Sequence, residues 1–255
     1  MHRDLSWSAR ILKRFCRTPG TPDYATGGIH YESGRELERL EEVFPDFARE
    51  IKGKLVIDFG CGEGYQAVAF ARAGAARVIG IEIDERYLER GHKRVADAGL
   101  EQTITFERAI PDGLKGEVIV SQNSFEHFMD PGGILRHLHR ALAPGGKLFV
   151  TFAPPWYAPW GAHMAFYCRL PWVQLLFAES TVMEVRSLFR SDGARTYREA
   201  GLAEMSVAKF ERLIADSGLT FESRRYDCVH AMNWLARTPL RELFVNRVSC
   251  VLSCR

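Results

Sequence analysis

The sequence predicts a doubly wound α/β fold, in which helices cover both faces of a mostly parallel sheet. Short apolar runs recur along the 255-residue chain, amphipathic helical stretches lie between them, and a glycine-rich turn follows the first run. Strands that alternate with helices form parallel sheets with crossover connections. The 46% hydrophobic and 26% charged residues are ordinary values for a globular protein, which excludes a disordered chain.

The first part of the chain, residues 1–53, is predicted to be a helical extension. Residues 1–17 are basic and carry apolar residues at helical spacing, which favours a docked terminal helix over a helix on a membrane surface. A stretch rich in Gly, Pro and Thr follows and indicates a loop. Ser33 and Glu36 then form an S-x-x-E capping box, which predicts a helix that ends at about Ile51.

Residues 54–255 are predicted to form the α/β domain. Its first part holds short apolar runs typical of buried parallel strands: KLVIDFG, ARVIGIEI, ITFE, EVIVSQN and KLFVTFA. The predicted helices between them are GYQAVAFARAG, ERYLERGHKRVADAG and GGILRHLHRALA. Asp84 is a capping residue for the second helix, and Asp130 followed by Pro131 is a start signal for the third.

The alternation of strands and helices breaks after the fifth strand. Residues at about 154–205 hold several prolines and three of the five tryptophans, which predicts a cap inserted into the domain. Helix VAKFERLIADSG and strand LTFESRRYD resume the alternation. A helical stretch is predicted at about 230–243, and VNRVSCVLSC is the predicted final strand.

The glycine-rich turn DFGCGEG carries the strongest functional signal, because it lies between the first strand and the first crossover helix. Glycine lets a backbone approach a ligand closely, and the N-terminus of a helix offers free N–H groups. The dinucleotide fingerprint G-x-G-x-x-G fails here, because its last position, counted from Gly60 or Gly62, holds Tyr65 or Ala67. Glu82, at the end of the second strand, stands where nucleotide-binding folds place a ribose-binding carboxylate.

Several segments, in order between residues 54 and 155, resemble the motifs of class I S-adenosylmethionine-dependent methyltransferases. They are D-x-G-x-G-x-G in the glycine-rich turn, GIEID at 80–84, EVIVSQNSFEHF at 117–128 and ILRHLHRALAPGGKLFVTFAPP at 134–155. On these motifs the chain is identified as a member of that family, in the small-molecule methyltransferase-like type 11/23 group. The resemblance implies a Rossmann-like sheet of about seven strands, the last one antiparallel, and S-adenosylmethionine as the cofactor.

The resemblance also implies roles for individual residues. Asp58 would position the amino group of the cofactor's methionine part. Glu82 would bind the ribose, and Ile83 would lie against the adenine. Gln122 and Asn123 would face the methyl-bearing end. The full set of candidate cofactor-binding residues is Asp58, Gly60, Cys61, Gly62, Gly64, Glu82, Ile83, Arg108, Ala109, Gln122 and Asn123.

The sequence departs from the family's pattern after the third strand. Members of the family often have an acidic residue there that binds the adenine amino group, whereas this chain has Arg108 and Ala109, with Glu107 beside them. Recognition of the adenine by backbone groups is the alternative.

Two histidines are candidate catalytic bases. Methyl transfer from a sulfonium is an in-line displacement with a neutral leaving group, so alignment and exclusion of water supply most of the rate. A base is needed where the acceptor atom holds a proton near neutral pH, as a hydroxyl does. His163 follows the fifth strand, and His127 lies in the EHF segment after the fourth strand, where a structural role is the alternative.

Aromatic residues of the predicted cap are candidate walls of an acceptor site, because they follow the strand after which this family builds its substrate pockets. The alternative is a lid whose aromatic residues only pack against the sheet. The candidate substrate-contacting residues are Trp156, Tyr157, Trp160 and Tyr167.

The composition limits the partners and the location that we expect. Lys+Arg 34 nearly balance Asp+Glu 32, which argues against a dedicated nucleic-acid binder. No apolar run reaches the roughly 18 residues of a membrane helix, and the start of the chain lacks the pattern of a secretory signal. The six cysteines are scattered without a CxxC pair, which favours reduced thiols in a cytoplasmic protein and no metal site.

The sequence therefore predicts an S-adenosylmethionine-dependent methyltransferase that acts on an oxygen, or else a nitrogen, of a small molecule, as a monomer or a homodimer. Two alternatives stay open. One is a protein or RNA methyltransferase that docks its substrate through the basic N-terminal segment. The other is a non-catalytic, methyltransferase-like domain that acts by binding a partner.

Overall fold

One mixed sheet forms the centre of the protein. The computed structural model describes residues 5–18 and 35–254, and the strands in these residues are β1 (Leu55–Phe59), β2 (Arg77–Ile81), β3 (Ile104–Glu107), β4 (Gly116–Gln122), β5 (Leu142–Phe152), β6 (Leu219–Cys228) and β7 (Val245–Cys254). They lie in the order β3-β2-β1-β4-β5-β7-β6. β1 to β5 are parallel, and β7 runs antiparallel between β5 and β6. The predicted doubly wound α/β class is confirmed.

The α-helices of the same residues are α1 (Trp7–Lys13), α2 (Glu36–Glu41), α3 (Phe47–Ile51), α4 (Tyr65–Arg72), α5 (Glu85–Ala98), α6 (Pro131–Ala141), α7 (Val173–Leu176), α8 (Glu179–Arg186), α9 (Val207–Ser217) and α10 (Arg241–Phe244). Short 3₁₀ turns lie at Phe125–His127, Val229–Ala231 and Asn233–Arg237. Among the described helices, none has the length and apolar character needed to span a bilayer.

Alternate residues of the central strands enter two separate cores. Val56 of β1 pairs with Val78 of β2, and both are buried on the face that α2, α3 and α4 cover. Ile57 and Ile79, the next pair, are buried on the opposite face, under α6 and α9. Because both faces of these strands are buried, their sequences are nearly continuous apolar runs.

The helix predicted to end at Ile51 is in fact two short helices, α2 and α3. Pro45, between them, has no N–H and restrains the residue before it, so a continuous helix is interrupted there. Asp46 follows with a left-handed φ of 65° and turns the chain. Ser33, the predicted capping residue, lies outside the described residues. The helical stretch predicted at 230–243 consists of two 3₁₀ turns and the short α10.

The N-terminal helix α1 packs on the segment between β5 and α9, residues 154–205, which we call the cap. Ala9 and Leu12 of α1 are completely buried, in a core cluster that they share with Val182 of α8. The Ser6 hydroxyl donates a hydrogen bond to the Glu184 carboxylate at 2.6 Å. The contact of α1 with the cap is thus made by both apolar packing and hydrogen bonding.

Candidate functional site

A cavity of about 1030 Å³ opens at the carboxyl ends of β1, β2 and β4. Open parallel sheets bind their ligands at this edge. Most of the candidate cofactor-binding residues line the cavity: Gly60, Cys61, Gly62, Glu82, Ile83, Arg108, Ala109, Gln122 and Asn123. Two candidates, Asp58 and Gly64, lie behind its wall.

The glycine-rich loop is fixed to the end of β2 and passes close to the end of β4. The backbone N–H groups of Gly60 and Cys61 both donate to the carbonyl of Ile81, at 2.9 and 3.1 Å. Gly60 has a φ of 81°, and a Cβ at this position would lie 2.5 Å from the Ser124 Oγ. Only glycine therefore fits at the first position of the loop.

The carboxylate of Glu82 joins the glycine-rich loop to the start of α5. Its Oε2 accepts a hydrogen bond from the Gly62 N–H at 3.1 Å. Its Oε1 accepts from the N–H groups of Ile83 and Asp84 at 2.7 and 3.0 Å. The Ile83 side chain beside it is 75% exposed, although it is apolar. A carboxylate and an exposed apolar side chain thus stand together on the cavity wall.

Asp58, at the fourth position of β1, is a buried acid that forms no ion pair with the residues that the structure describes. It is 1% exposed, and its Oδ2 has no hydrogen-bond partner among the described residues. Burial, and secondarily the charge of Glu82, raise the pKa of Asp58 from 3.8 to about 7. The side chain is therefore poised to gain from a nearby positive charge.

Gly64 supports the loop from behind rather than from the cavity. It has a φ of 74°, and a Cβ there would lie 2.5 Å from the Phe106 ring. Gly80 of β2 faces the same ring, which an added Cβ would also meet at 2.5 Å. Phe106 thus fills the space under the loop, and the two glycines make room for it.

His127 lines the cavity on the side of β4, whereas Ile83 lines it on the side of β2. The Nδ1 of His127 lies 2.8 Å from the Gly201 carbonyl oxygen, which can only accept a hydrogen bond. Nδ1 therefore carries the proton, and in the neutral ring Nε2 is left with a lone pair. Partial burial lowers the pKa of His127, although the Gly201 carbonyl opposes this effect.

His163 lies outside this cavity, in a much smaller one of about 10 Å³ that it shares with Glu126. Its ring packs edge-to-face against the ring of His127, with 5.2 Å between the centroids. Its Nε2 is buried and has no partner within the described part of the chain. Burial, with contributions from His127 and Arg190, lowers the pKa of His163 to about 3.

The candidate substrate-contacting aromatic residues do not line the cavity. Trp156 and Tyr167 are buried in the core cluster that joins α1 to the cap. Tyr157 is exposed and Trp160 is half-buried, and both lie in the cap away from the cavity wall. Packing of the cap accounts for the buried side chains of Trp156 and Tyr167. A role of the four residues toward an acceptor stays a prediction.

The cavity wall includes residues that the sequence did not single out. Tyr65 and Gln66 begin α4 directly after the glycine-rich loop, and Gln66 donates a hydrogen bond to the Gln122 side chain. Their position after the loop was a usable signal. Ser124, Phe128, Ile134 and His137 belong to motif segments, but their individual positions carried no signal for the cavity. Glu36 and Arg39 reach the cavity through the packing of α2, which no motif marks.

Arg108 stands at the mouth of the cavity. Its guanidinium forms an ion pair with Glu85 at 2.7 Å, and both side chains are largely exposed. The neighbouring Ala109 also lines the cavity. Near Ala109, the described lining residues include no acidic side chain in the place of the adenine-binding acid that the family often has after the third strand.

Comparison with known proteins matches residues 57–150 to the family described as "Methyltransferase domain". An "Uncharacterized methyltransferase" of Mycobacteroides abscessus is 30% identical over 213 residues, which cover 80% of this chain and 78% of that protein. The "Ribosomal protein L11 methyltransferase" of Vibrio cholerae is 35% identical over 133 residues. That match covers 51% of this chain and 42% of the relative, so the chain spans less than half of that protein's length.

A solved structure has the same fold. The S-adenosylmethionine dependent methyltransferase from Mesorhizobium loti superimposes with a TM-score of 0.56, over 87% of this chain and 98% of that one. The two sequences are 20% identical in this alignment, so the likeness concerns the fold.

Proposed function

Because the chain belongs to the class I S-adenosylmethionine-dependent methyltransferases, we propose that it transfers the methyl group of S-adenosylmethionine to an oxygen, or else a nitrogen, of a small-molecule acceptor. The observation that carries the proposal is the cavity of about 1030 Å³, whose wall includes both Glu82 and His127. Pockets for a single small ligand measure about 300–1,000 Å³. The cavity thus has room for the cofactor and for a small acceptor beside it.

The residues of the cavity fit the parts of this cofactor. Glu82 offers a carboxylate for the ribose hydroxyls, and the exposed Ile83 offers an apolar surface for the adenine. At Gly60 the backbone packs directly against Ser124 with no room for a Cβ, which holds the glycine-rich loop in place on the cavity wall. The Asp58 Oδ2, which has no partner in the described part of the chain, complements a positively charged amino group. When bound, S-adenosylmethionine would supply a methyl group attached to a cationic sulfur. After the transfer, this sulfur is part of a neutral thioether, which is the leaving group.

We assign His127 as the base for a hydroxyl acceptor. The Gly201 carbonyl fixes the proton on Nδ1, so Nε2 has a free lone pair. This lone pair can take the proton of the substrate hydroxyl while the hydroxyl oxygen bonds to the methyl carbon. The lowered pKa keeps the ring neutral at neutral pH, which is the state a base requires. His163 acts as a positioning residue, since its ring contacts that of His127 but lies outside the cavity.

A protein or RNA acceptor is the second candidate function. A relative named as a ribosomal protein methyltransferase matches half of this chain, and α1 carries Arg10 and Lys13 in its last turn. A basic surface helix would attract an acidic macromolecule. The charge balance of the whole chain and the size of the cavity favour the small acceptor.

The test begins with the cofactor. Calorimetric titration should give micromolar binding of S-adenosylmethionine and S-adenosylhomocysteine and none of NAD. Glu82→Gln should weaken the binding of both adenosyl ligands, whereas Glu89→Gln, on the exposed side of α5, is the matched control and should leave it unchanged. Binding of NAD in place of the adenosyl ligands would overturn the assignment.

The acceptor class is tested by radiolabelled methyl transfer. Phenols, carboxylic acids and amines are compared with ribosomal protein and tRNA, each at low and high salt. We expect transfer to a small acceptor that changes little with salt. Transfer to a macromolecule alone, with a steep loss at high salt, would favour the second candidate. Cofactor binding without any transfer would support a non-catalytic binding domain.

A further inference from the structure

Two cysteines from distant parts of the chain face each other where the N-terminal segment meets the cap. Cys16, just after α1, forms an isolated antiparallel bridge with Cys168 of the cap. The N–H of Arg17 donates to the carbonyl of Tyr167 at 2.7 Å. The N–H of Arg169 donates to the carbonyl of the residue before Cys16, at 2.9 Å.

This hydrogen-bond pattern defines the geometry of the pair. The backbone bonds flank Cys16 and Cys168 on both sides, so the two cysteines occupy a non-hydrogen-bonded position of an antiparallel ladder. Residues at such positions have Cα atoms about 4.5 Å apart and side chains on the same face. Disulfides span Cα separations of about 4.4–6.8 Å. The pair can therefore be bridged without moving the backbone.

We propose that Cys16 and Cys168 are a redox modification site, at which a reversible disulfide joins the segment after α1 to the cap. All the cysteines in the described residues are free thiols. The backbone pairing of Cys16 with Cys168 singles out these two. The others lie in or next to the central sheet: Cys61, Cys228, Cys250 and Cys254.

The two thiols differ in accessibility and in acidity. Cys16 is half-buried, whereas Cys168 is 1% exposed. The hydrogen bond between the two thiols lowers the pKa of Cys168 to about 7 and, together with burial, raises the pKa of Cys16 above its usual range. Cys16 is thus the thiol that an oxidant reaches, and Cys168 beside it is the group that takes up the Cys16 proton when the Cys16 sulfur attacks.

The oxidant that we name is a low-molecular-weight disulfide such as oxidised glutathione. The Cys16 sulfur attacks it, forms a mixed disulfide and releases one thiolate. Cys168 then gives up its proton, and its thiolate attacks the Cys16 sulfur and expels the second thiolate. The two protons of the cysteine thiols end on the two released thiols, and the two electrons lost by the cysteines reduce the small disulfide.

The disulfide would act on the contact between α1 and the cap. That contact already rests on the packing of Ala9 and Leu12 and on the hydrogen bond from Ser6 to Glu184. The covalent link would also close a loop that contains β1 to β5, which restricts the unfolded chain. Oxidation should therefore stabilise the fold and protect α1 from detachment.

The experiment uses the full chain with oxidised glutathione near neutral pH. Free thiols are then alkylated without reduction, and the digested protein is analysed by mass spectrometry. We expect a peptide pair linked through Cys16 and Cys168, which dithiothreitol separates. The unfolding midpoint of the oxidised protein should rise by about 5–15 °C. Cys254→Ser, which removes another half-buried thiol, is the matched control and should behave as the wild type.

Single variants separate the two steps. Cys168→Ser should retain glutathione on Cys16 as a stable mixed disulfide, whereas Cys16→Ser should take up none at the buried Cys168. The proposal is overturned if wild-type protein keeps glutathione on Cys16 without closing the bridge, or if Cys16 links to another cysteine. A linked protein whose unfolding midpoint equals that of the reduced form would refute the stabilising effect. The peptide map of the wild type gives a decisive result even if a variant fails to fold.

Discussion

Replacement of Asp58 by asparagine should make the protein more stable and less able to bind its cofactor. The amide would keep the shape of the side chain and remove a charge that is buried at 1% exposure and has no counterion among the described residues. The gain is expected because an ionised carboxylate in this place is desolvated and lies near the charge of Glu82. The loss of binding is expected because a neutral amide cannot pair with an ammonium group.

The size and the pH dependence of the gain follow from the pKa of Asp58. Its rise from 3.8 to about 7, at ~1.4 kcal/mol per tenfold change in proton affinity, corresponds to about 4 kcal/mol. A carboxyl whose pKa is raised in the folded state destabilises the fold increasingly as the pH rises through this interval. The free energy of unfolding of Asp58→Asn should therefore exceed that of the wild type by about 4 kcal/mol at about pH 8 and by less than 2 kcal/mol at about pH 5.

Denaturant unfolding at these two pH values measures the effect, and calorimetric titration with S-adenosylmethionine measures the binding. Asp97→Asn is the control, because Asp97 forms an exposed ion pair with Lys93 and such pairs contribute only about 0–1 kcal/mol. A gain for Asp58→Asn that is equal at both pH values, or a loss of stability at the higher pH, would refute the reasoning from a buried, ionised carboxylate.

Further predictions concern the cavity. Glu82→Gln should weaken cofactor binding about 10- to 100-fold in calorimetric titration, because hydrogen bonds to charged groups contribute about 1.5–3 kcal/mol. Gly60→Ala should abolish cofactor binding, since the new Cβ would lie 2.5 Å from the Ser124 Oγ at a φ of 81°; an unchanged Kd would contradict the close approach. Cofactor affinity should fall about tenfold from about pH 8 to about pH 6, because Asp58, with a pKa of about 7, must be ionised to hold a cation; a flat profile would remove Asp58 from that role. With a hydroxyl acceptor, His127→Ala should lower kcat at least about 100-fold and leave the cofactor Kd unchanged; an unaltered kcat would mean that alignment alone drives the transfer.

The central strands and the glycine-rich turn could be predicted because their causes are local. β1, β2 and β4 are buried on both faces, so each is a short apolar run in the sequence. The turn after β1 needs glycine at Gly60, where the backbone passes close to Ser124. Glu82 could be singled out because the end of a strand fixes its place in the sheet.

Features that depend on distant contacts could not be predicted from these patterns. The aromatic residues of the cap have the composition of a ligand wall, but Trp156 packs against Tyr197 with 4.8 Å between the ring centroids, and Tyr167 stacks on Phe189 at 4.9 Å. Glu36 reaches the cavity only because α2 packs on the sheet, which no local pattern indicates. An aromatic-rich segment can serve as a core or as a wall, and only tertiary packing decides which.

Glu82 and Asp58, two acids at the ends of neighbouring strands, differ in burial and in the hydrogen bonds that they accept from the protein. Glu82 accepts three backbone hydrogen bonds, so the protein itself satisfies its charge and uses it to hold the glycine-rich loop. Asp58 Oδ2 has no such donor among the described residues, and in the proposed function its charge is satisfied when the ammonium group of the cofactor binds. A cation bound beside Asp58 lowers the free-energy cost of ionising this carboxyl in the folded protein. The same ionisation enters the folding equilibrium, so cofactor binding also stabilises the fold. At one fixed, excess concentration of S-adenosylmethionine and about pH 8, the unfolding midpoint of the wild type should therefore rise more than that of Asp58→Asn, because the variant binds the cofactor more weakly.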